Sequence, residues 1–211
     1  FHTKFMQNKK RKLNKKNYFI LFHHERYYGW VIVLVASLCM FFTYGARYAF
    51  SVFFKPMIEE FGWSRAVTSS AYSLYMALFA IGSLITGKLV DQYGPKILII
   101  CGALLFGIGT FACSQVSEIY HLYLFYGFLA GLGSAALGLA NTTTTVERWF
   151  IKKRGIATGI TSTGVGIGVA VFIPLATVMV HNFGWRSSYQ IVGIAIILVL
   201  VPLGFFAVKS P

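Results

Sequence analysis

Acidic residues are scarce. Only Glu25, Glu59, Glu60, Asp91, Glu118 and Glu147 occur in 211 residues, and each lies at or beyond the end of an apolar run, so no carboxylate is positioned as a mid-membrane proton relay. Charged residues of both signs make up 12% of the chain against 56% hydrophobic ones, and the mean hydropathy is +0.66. That excludes a water-soluble domain, which could not bury so much apolar surface. Cysteine is limited to Cys39, Cys101 and Cys113, all inside apolar runs, where they serve as small apolar side chains rather than disulfide partners. His121 and His181 fall near run ends as interfacial residues, so the composition implies no metal site and no cofactor.

What the chain has is runs long enough to cross ~30 Å of hydrocarbon. They lie near residues 29–54, 66–90, 97–116, 119–145, 155–180 and 187–208. The fold class expected is therefore all-α and integral to a membrane, a bundle of six transmembrane helices over residues 27–208. The net charge of +13 could suggest nucleic acid, but its distribution excludes that partner. Fifteen Lys or Arg fall in the N-terminal arm, the second and fourth connections and the C-terminal end, against Lys55, Arg65 and Arg186 on the opposite side. The positive-inside rule then places both termini in the cytoplasm, as an even number of crossings also requires. Residues 1–26, rich in Lys and Asn, read as a disordered basic arm held to anionic lipid, and residues 209–211 read as the start of a central cytoplasmic loop.

Two faces interrupt the apolar pattern. At ~100° per residue, Thr43, Tyr44, Arg47, Tyr48 and Ser51 fall on one side of the first helix. Two readings of Arg47 stand open: snorkelling toward the outer headgroups, or binding a carboxylate with hydroxyl help from Tyr44 and Tyr48. On the fourth helix Gly127, Gly131, Ser134, Gly138, Asn141 and Thr145 share a face. Close helix packing is its default use, and Asn141 is the residue there able to offer a solute hydrogen bonds. Gly155, Gly159, Ser162, Gly166 and Ala170 form a similar face on the fifth helix, also expected to pack. Phe61-Gly62-Trp63 and Phe183-Gly184-Trp185 are echoes of one another, and each glycine suits a tight turn before the next helix.

The second connection reads Gly87-Lys88-Leu89-Val90-Asp91-Gln92-Tyr93-Gly94-Pro95-Lys96. Its G-x-x-x-D-x-x-G followed by a basic residue resembles the major facilitator superfamily. That resemblance implies a conformational latch of Gly87, Asp91, Gly94 and Lys96, set against a helix of the other half. Trp149-Phe150, Lys152-Lys153-Arg154, Ile156-Ala157, Gly159-Ile160 and Thr163-Gly164 are similar to the fifth-helix signature of the monocarboxylate transporters and the oxalate/formate antiporters. In that signature Trp149, Phe150, Lys152, Arg154, Ala157, Gly159 and Gly164 are the matching positions. Glu25-Arg26-Tyr27-Tyr28-Gly29-Trp30 is similar to the first-helix signature, and the basic residue of that helix falls in register on Tyr48.

The resemblance implies the N-terminal half of a twelve-helix carrier in the plasma membrane. It would move small organic anions, with protons or in exchange, by alternating access. An acidic and arginine pair would belong to the missing C-terminal half. Substrate-binding candidates in this half are Arg47, Tyr44, Tyr48 and Asn141. Two alternatives remain at this stage: a half-size carrier that dimerises, and an intramembrane serine protease using Ser134.

Overall fold

A computed structural model describes residues 28–150 and 153–207 of the chain. The basic arm of residues 1–26, the signature residue Lys152 and the loop residues 209–211 lie outside them. Every regular element among the described residues is helical. Five helices are long and apolar enough to cross a membrane. They are α1 (Tyr28–Phe61), α2 (Arg65–Tyr93), α3 (Pro95–Ala112, prolonged by a 3-10 turn), α4 (Ile119–Glu147) and α5 (Arg154–Ala207).

Glycines end these helices where the apolar runs do not. The first run is expected to stop at residue 54, but α1 continues through Pro56 to Phe61, and Gly62 (φ 67°) terminates it with its N–H on Ile58 O at 2.9 Å. Gly94 (φ 80°) closes α2 in the same way, and Pro95 starts α3 at once, a position where its missing N–H costs nothing. The loop expected between residues 180 and 187 is not a loop. Helix runs up to Gly184 (φ 77°, ψ 163°) and resumes immediately, so one non-helical residue divides α5 into a first arm, 154–183, and a second arm, 185–207.

The contacts of the two arms show that the chain doubles back there. A Cβ at Gly164 would meet Ser37 O at 2.3 Å, one at Gly168 would meet Phe41 O at 2.5 Å, and one at Gly45 would meet Phe172 Cδ2 at 2.4 Å; the first arm therefore lies along α1. The second arm runs along α3: Gly193 faces the Phe111 amide at 2.6 Å, Gly107 faces Ile197, and Gly204 faces Ile100. α3 also meets α4 at backbone distance, Gly133 against the Phe106 amide at 2.3 Å and Gly109 against the Ala130 amide at 2.7 Å. Only hydrogen at these positions allows such approach, so dispersion contacts hold helices that the bilayer gives no hydrophobic reason to associate.

The Phe-Gly-Trp echoes meet in space. Phe61 stacks on Trp63 at 4.4 Å and sets its ring edge-on to Trp185 at 6.0 Å. Glu60 accepts from Trp185 Nε1 at 2.6 Å and from Arg186 Nη2 at 2.7 Å, while Arg186 Nη1 reaches Ser114 O and Val116 O at 3.0 Å. One arginine thus joins the end of α1, the α3–α4 connection and the reversal of α5. On the remaining surface stand Ile81, Leu84, Ile85, Ile160, Ile167, Val178 and Leu198, all exposed, as a bundle bathed in hydrocarbon requires.

The small face of α5 is a correction. No atom lies within 4 Å of a Cβ at Gly155, Gly159 or Gly166, and Ser162 and Ala170 are exposed; the face that packs on α1 is Ala157, Thr161, Gly164 and Gly168, turned aside from the expected one. Helical periodicity finds a row of small residues, but which row meets a neighbour depends on where α1 lies.

Gly133→Val should therefore lower the thermal stability of the purified full-length protein by ~2 kcal/mol or more, because the added carbons meet the α3 backbone, which cannot move aside. A thermal-unfolding scan in detergent would check this. An unchanged melting temperature would mean that α3 and α4 are not in backbone contact.

Candidate functional site

Arg47 lies inside the bundle, 6% exposed, on the α1 face read from the sequence. Its Cζ is 5.0 Å from the ring centre of Tyr44, 5.1 Å from Tyr48 and 5.1 Å from Phe79 of α2. Three ring faces therefore surround the guanidinium and supply the weak attraction an aromatic quadrupole offers a cation. No carboxylate pairs with it among the described residues, and Nε has no hydrogen-bond partner. Thr43 is buried with it, whereas Tyr48 (41% exposed) and Ser51 stand at the open edge of the stripe.

Sequence reasoning missed the wall behind Arg47. Phe50 stacks on Tyr126 at 4.4 Å and on Tyr72 at 5.7 Å, and Tyr75 stacks on Tyr126 at 4.9 Å. Tyr126 sits in a π-helical stretch of α4, Tyr123–Ala130, and donates its hydroxyl hydrogen to Arg47 O at 3.3 Å. Tyr75 OH is fully buried without a hydrogen-bond partner. The spacing of Tyr72 and Tyr75 on α2 gives no clue, because nothing along the second helix says which neighbour that face will meet.

The α4 face packs on α2: Gly127 meets Leu74, Gly131 meets Tyr75 and Gly138 meets the Phe79 ring at 3.1 Å. Asn141 is fully buried; its Nδ2 donates to Ala136 O and its Oδ1 has no partner. Ser134 is buried too, donating to Gly131 O at 2.8 Å, and His121, half-buried, and His181, exposed, lie near helix ends, so neither histidine stands beside the serine.

The expected latch residues lie at the other end of the bundle. Asp91 pairs with Arg148 Nη2 of α4 at 2.6 Å, while Lys96 places its Nζ 4.5 Å over the Phe205 ring. Both Asp91 and Gly87 remain largely exposed. Arg148, at the end of α4, thus supplies the countercharge of Asp91, because the close packing of α4 on α2 brings it to the acid.

The two signature segments touch one another. Phe150 lies on Gly29, where a Cβ would be 2.8 Å from its ring, and edge-on to Trp30; Trp149 packs on Tyr28 at 5.2 Å. Arg154 donates to Phe150 O at 2.8 Å, and Ala157 is buried among Ile32, Val33 and Ala36. Gly164 is the close contact with Ser37, and Gly159 faces away from the bundle.

Comparison with known proteins follows this geometry. The sequence pattern of the Major Facilitator Superfamily matches residues 36–211. The chain is 31% identical over 166 residues to monocarboxylate transporter 2 of Mus musculus, covering 79% of this chain and 34% of that protein. It is 33% identical over 177 residues to monocarboxylate transporter 13 of Rattus norvegicus, covering 84% and 41%, and 32% identical over 166 residues to monocarboxylate transporter 1 of Homo sapiens, covering 79% and 33%. It spans between a third and two fifths of these relatives. Among solved structures, a bacterial homologue of the human lysosomal transporter Spinster, inward-facing and unoccupied, superposes with a TM-score of 0.76 at 18% identity over 88% of this chain and 44% of that one. The chain is a multi-pass membrane protein, is similar to the monocarboxylate transporters, and belongs to the major facilitator superfamily.

Proposed function

We propose that this chain is the N-terminal half of a twelve-helix secondary transporter that carries small monocarboxylates across the plasma membrane by alternating access. The observation that carries the reading is Arg47, a buried cation with three aromatic faces around it and no acid beside it. Such a charge gains most from an anion that comes and goes. The relatives named monocarboxylate transporters support the same substrate class, and the share of their length matched here leaves room for a second bundle.

Six crossings fit the geometry. At ~1.5 Å per residue the 53 residues of the span Arg154–Phe206 would reach roughly 80 Å if straight, against about 30 Å of hydrocarbon, and Gly184 divides them into two arms of crossing length. Both termini then face the cytoplasm, with the Glu60–Arg186 corner outside and the Asp91–Arg148 pair inside. The exposed small face of α5, from Gly155 to Ala170, is free to meet the second half. In the transport cycle the two halves rock about a central site lined by Arg47, Tyr44, Tyr48 and Asn141, and coupling to a proton or to a counter-anion resides in residues outside this half.

Uptake of labelled lactate, formate, oxalate and a neutral sugar by the full-length protein tests the substrate class. Lactate or formate should enter and the sugar should not; sugar uptake without any carboxylate uptake would sink the assignment. Arg47→Gln should raise the KM for lactate about tenfold or more, the worth of one charge-assisted hydrogen bond. Asp91→Asn should act differently, lowering the maximal rate while leaving KM within about twofold, since the pair it breaks lies at the cytoplasmic end and bears on the rocking step. A reversed pair, Asp91→Arg with Arg148→Asp, should recover part of that rate.

A further inference from the structure

α4 departs from regular α-helical winding at two places. Gly138 (φ −69°, ψ 177°) interrupts it between Gly131–Leu137 and Leu139–Glu147. The other departure is the π-helical stretch Tyr123–Ala130, at whose end the Gly131 N–H reaches back five residues to Tyr126 O. Such winding is rare and recurs at functional sites. Here α3 lies against it: a Cβ at Gly109 would stand 2.7 Å from Ala130 N and 2.9 Å from Phe125 O, the two ends of one such five-residue step.

The wider turn sends two tyrosines to different helices. Residues three apart on an α-helix share a face. Tyr123 and Tyr126 part instead: Tyr123 OH meets Ser70 Oγ at 2.5 Å and Val67 O at 3.1 Å, both on α2, whereas Tyr126 OH donates to Arg47 O of α1 at 3.3 Å. The Tyr126 ring is 4% exposed and stacks nearly parallel on Phe50 of α1 (4.4 Å, 20°) and on Tyr75 of α2 (4.9 Å, 22°). One residue of α4 therefore holds α1 at two points, the carbonyl of Arg47 and, one turn on, the ring of Phe50.

Arg47 depends on that hold. Its Nε has no partner, and the three ring faces at 5.0 or 5.1 Å attract a cation without fixing its direction. Where the guanidinium lies is then set by where α1 carries the Cα. We propose that Tyr126 is a positioning residue for transport: through the Arg47 carbonyl it keeps the guanidinium at the depth and angle that receive the carboxylate, and the π-helical winding aims it there. The inference rests on the monocarboxylate reading above, in which Arg47 binds the substrate. Tyr126 lies behind Arg47 and acts through it. Without the Tyr126 hydroxyl the cation is present but less well placed, which lowers affinity rather than the rate of rocking.

Two phenylalanine variants separate this role from a general loosening of α4. Tyr126→Phe keeps the stacked ring and removes the bond to α1; Tyr123→Phe removes a hydroxyl of the same π-helical stretch that bonds only to α2. In the full-length protein Tyr126→Phe should raise the KM for L-lactate about fivefold with the maximal rate within about twofold, and Tyr123→Phe should leave both within about twofold. Added to Arg47→Gln, Tyr126→Phe should change KM by less than about twofold, because the residue it acts through is gone. A KM for Tyr126→Phe within about twofold of the parent protein, an equal rise for Tyr123→Phe, or the same rise in the absence of Arg47 overturns the proposal.

A second measurement needs no transport. The ¹⁵Nε resonance of Arg47, identified by its loss in Arg47→Gln, should move in Tyr126→Phe and stay in place in Tyr123→Phe. A resonance that stays in place in both overturns the positioning role, whatever the protein carries. If the parent protein takes up no carboxylate while the resonance still moves in Tyr126→Phe, the hold on Arg47 stands and it is the monocarboxylate reading that fails.

Discussion

Arg47 carries the one charge among the described residues that lies well inside a helix bundle rather than near a helix end. Placing a guanidinium there costs several kcal/mol unless its surroundings answer it. Here they answer incompletely: three aromatic faces at about 5 Å, no acid, and an Nε without a partner. Much of the surrounding architecture can be read as holding that cation in place. The stacked Phe50, Tyr72, Tyr75 and Tyr126 back the helix that bears it, and the π-helical stretch of α4 directs the Tyr126 hydroxyl to the Arg47 carbonyl.

The rocking proposed above needs each half to move as a body, and the contacts are of two kinds that would serve it. Glycine faces let α1 meet the first arm of α5 and let α3 meet both α4 and the second arm at backbone distance, where small displacements are resisted steeply. At one end Arg186 joins three connections through Glu60, Ser114 and Val116; at the other, Phe150 and Trp149 fasten the base of α4 to the start of α1. The face of α5 left open lies on the opposite side from its packed one.

Legibility in the sequence followed the range of the interaction. Apolar runs marked the chain as a bundle of membrane-crossing helices, five of them among the described residues, and Gly62 and Gly184 were recognisable as turns because a positive φ is a local demand that glycine meets. Arg47 was legible because a charge in an apolar run is conspicuous. The side chains around it were not: Phe79, Tyr72 and Tyr75 lie on another helix, and only the packing of α2 on α4 brings them near. The same limit left open which face of α5 meets α1 and that Asp91 would meet Arg148, since periodicity marks a face without saying which neighbour it meets. The break at Gly138 left no mark at all; its backbone is extended at an ordinary negative φ that any residue could adopt.

The most direct test is a structure of the full-length protein with lactate bound. The account predicts density for the carboxylate within about 3 Å of the Arg47 guanidinium, enclosed by Tyr44, Tyr48 and Phe79. Lactate bound elsewhere, with Arg47 turned to the outer headgroups, would contradict it.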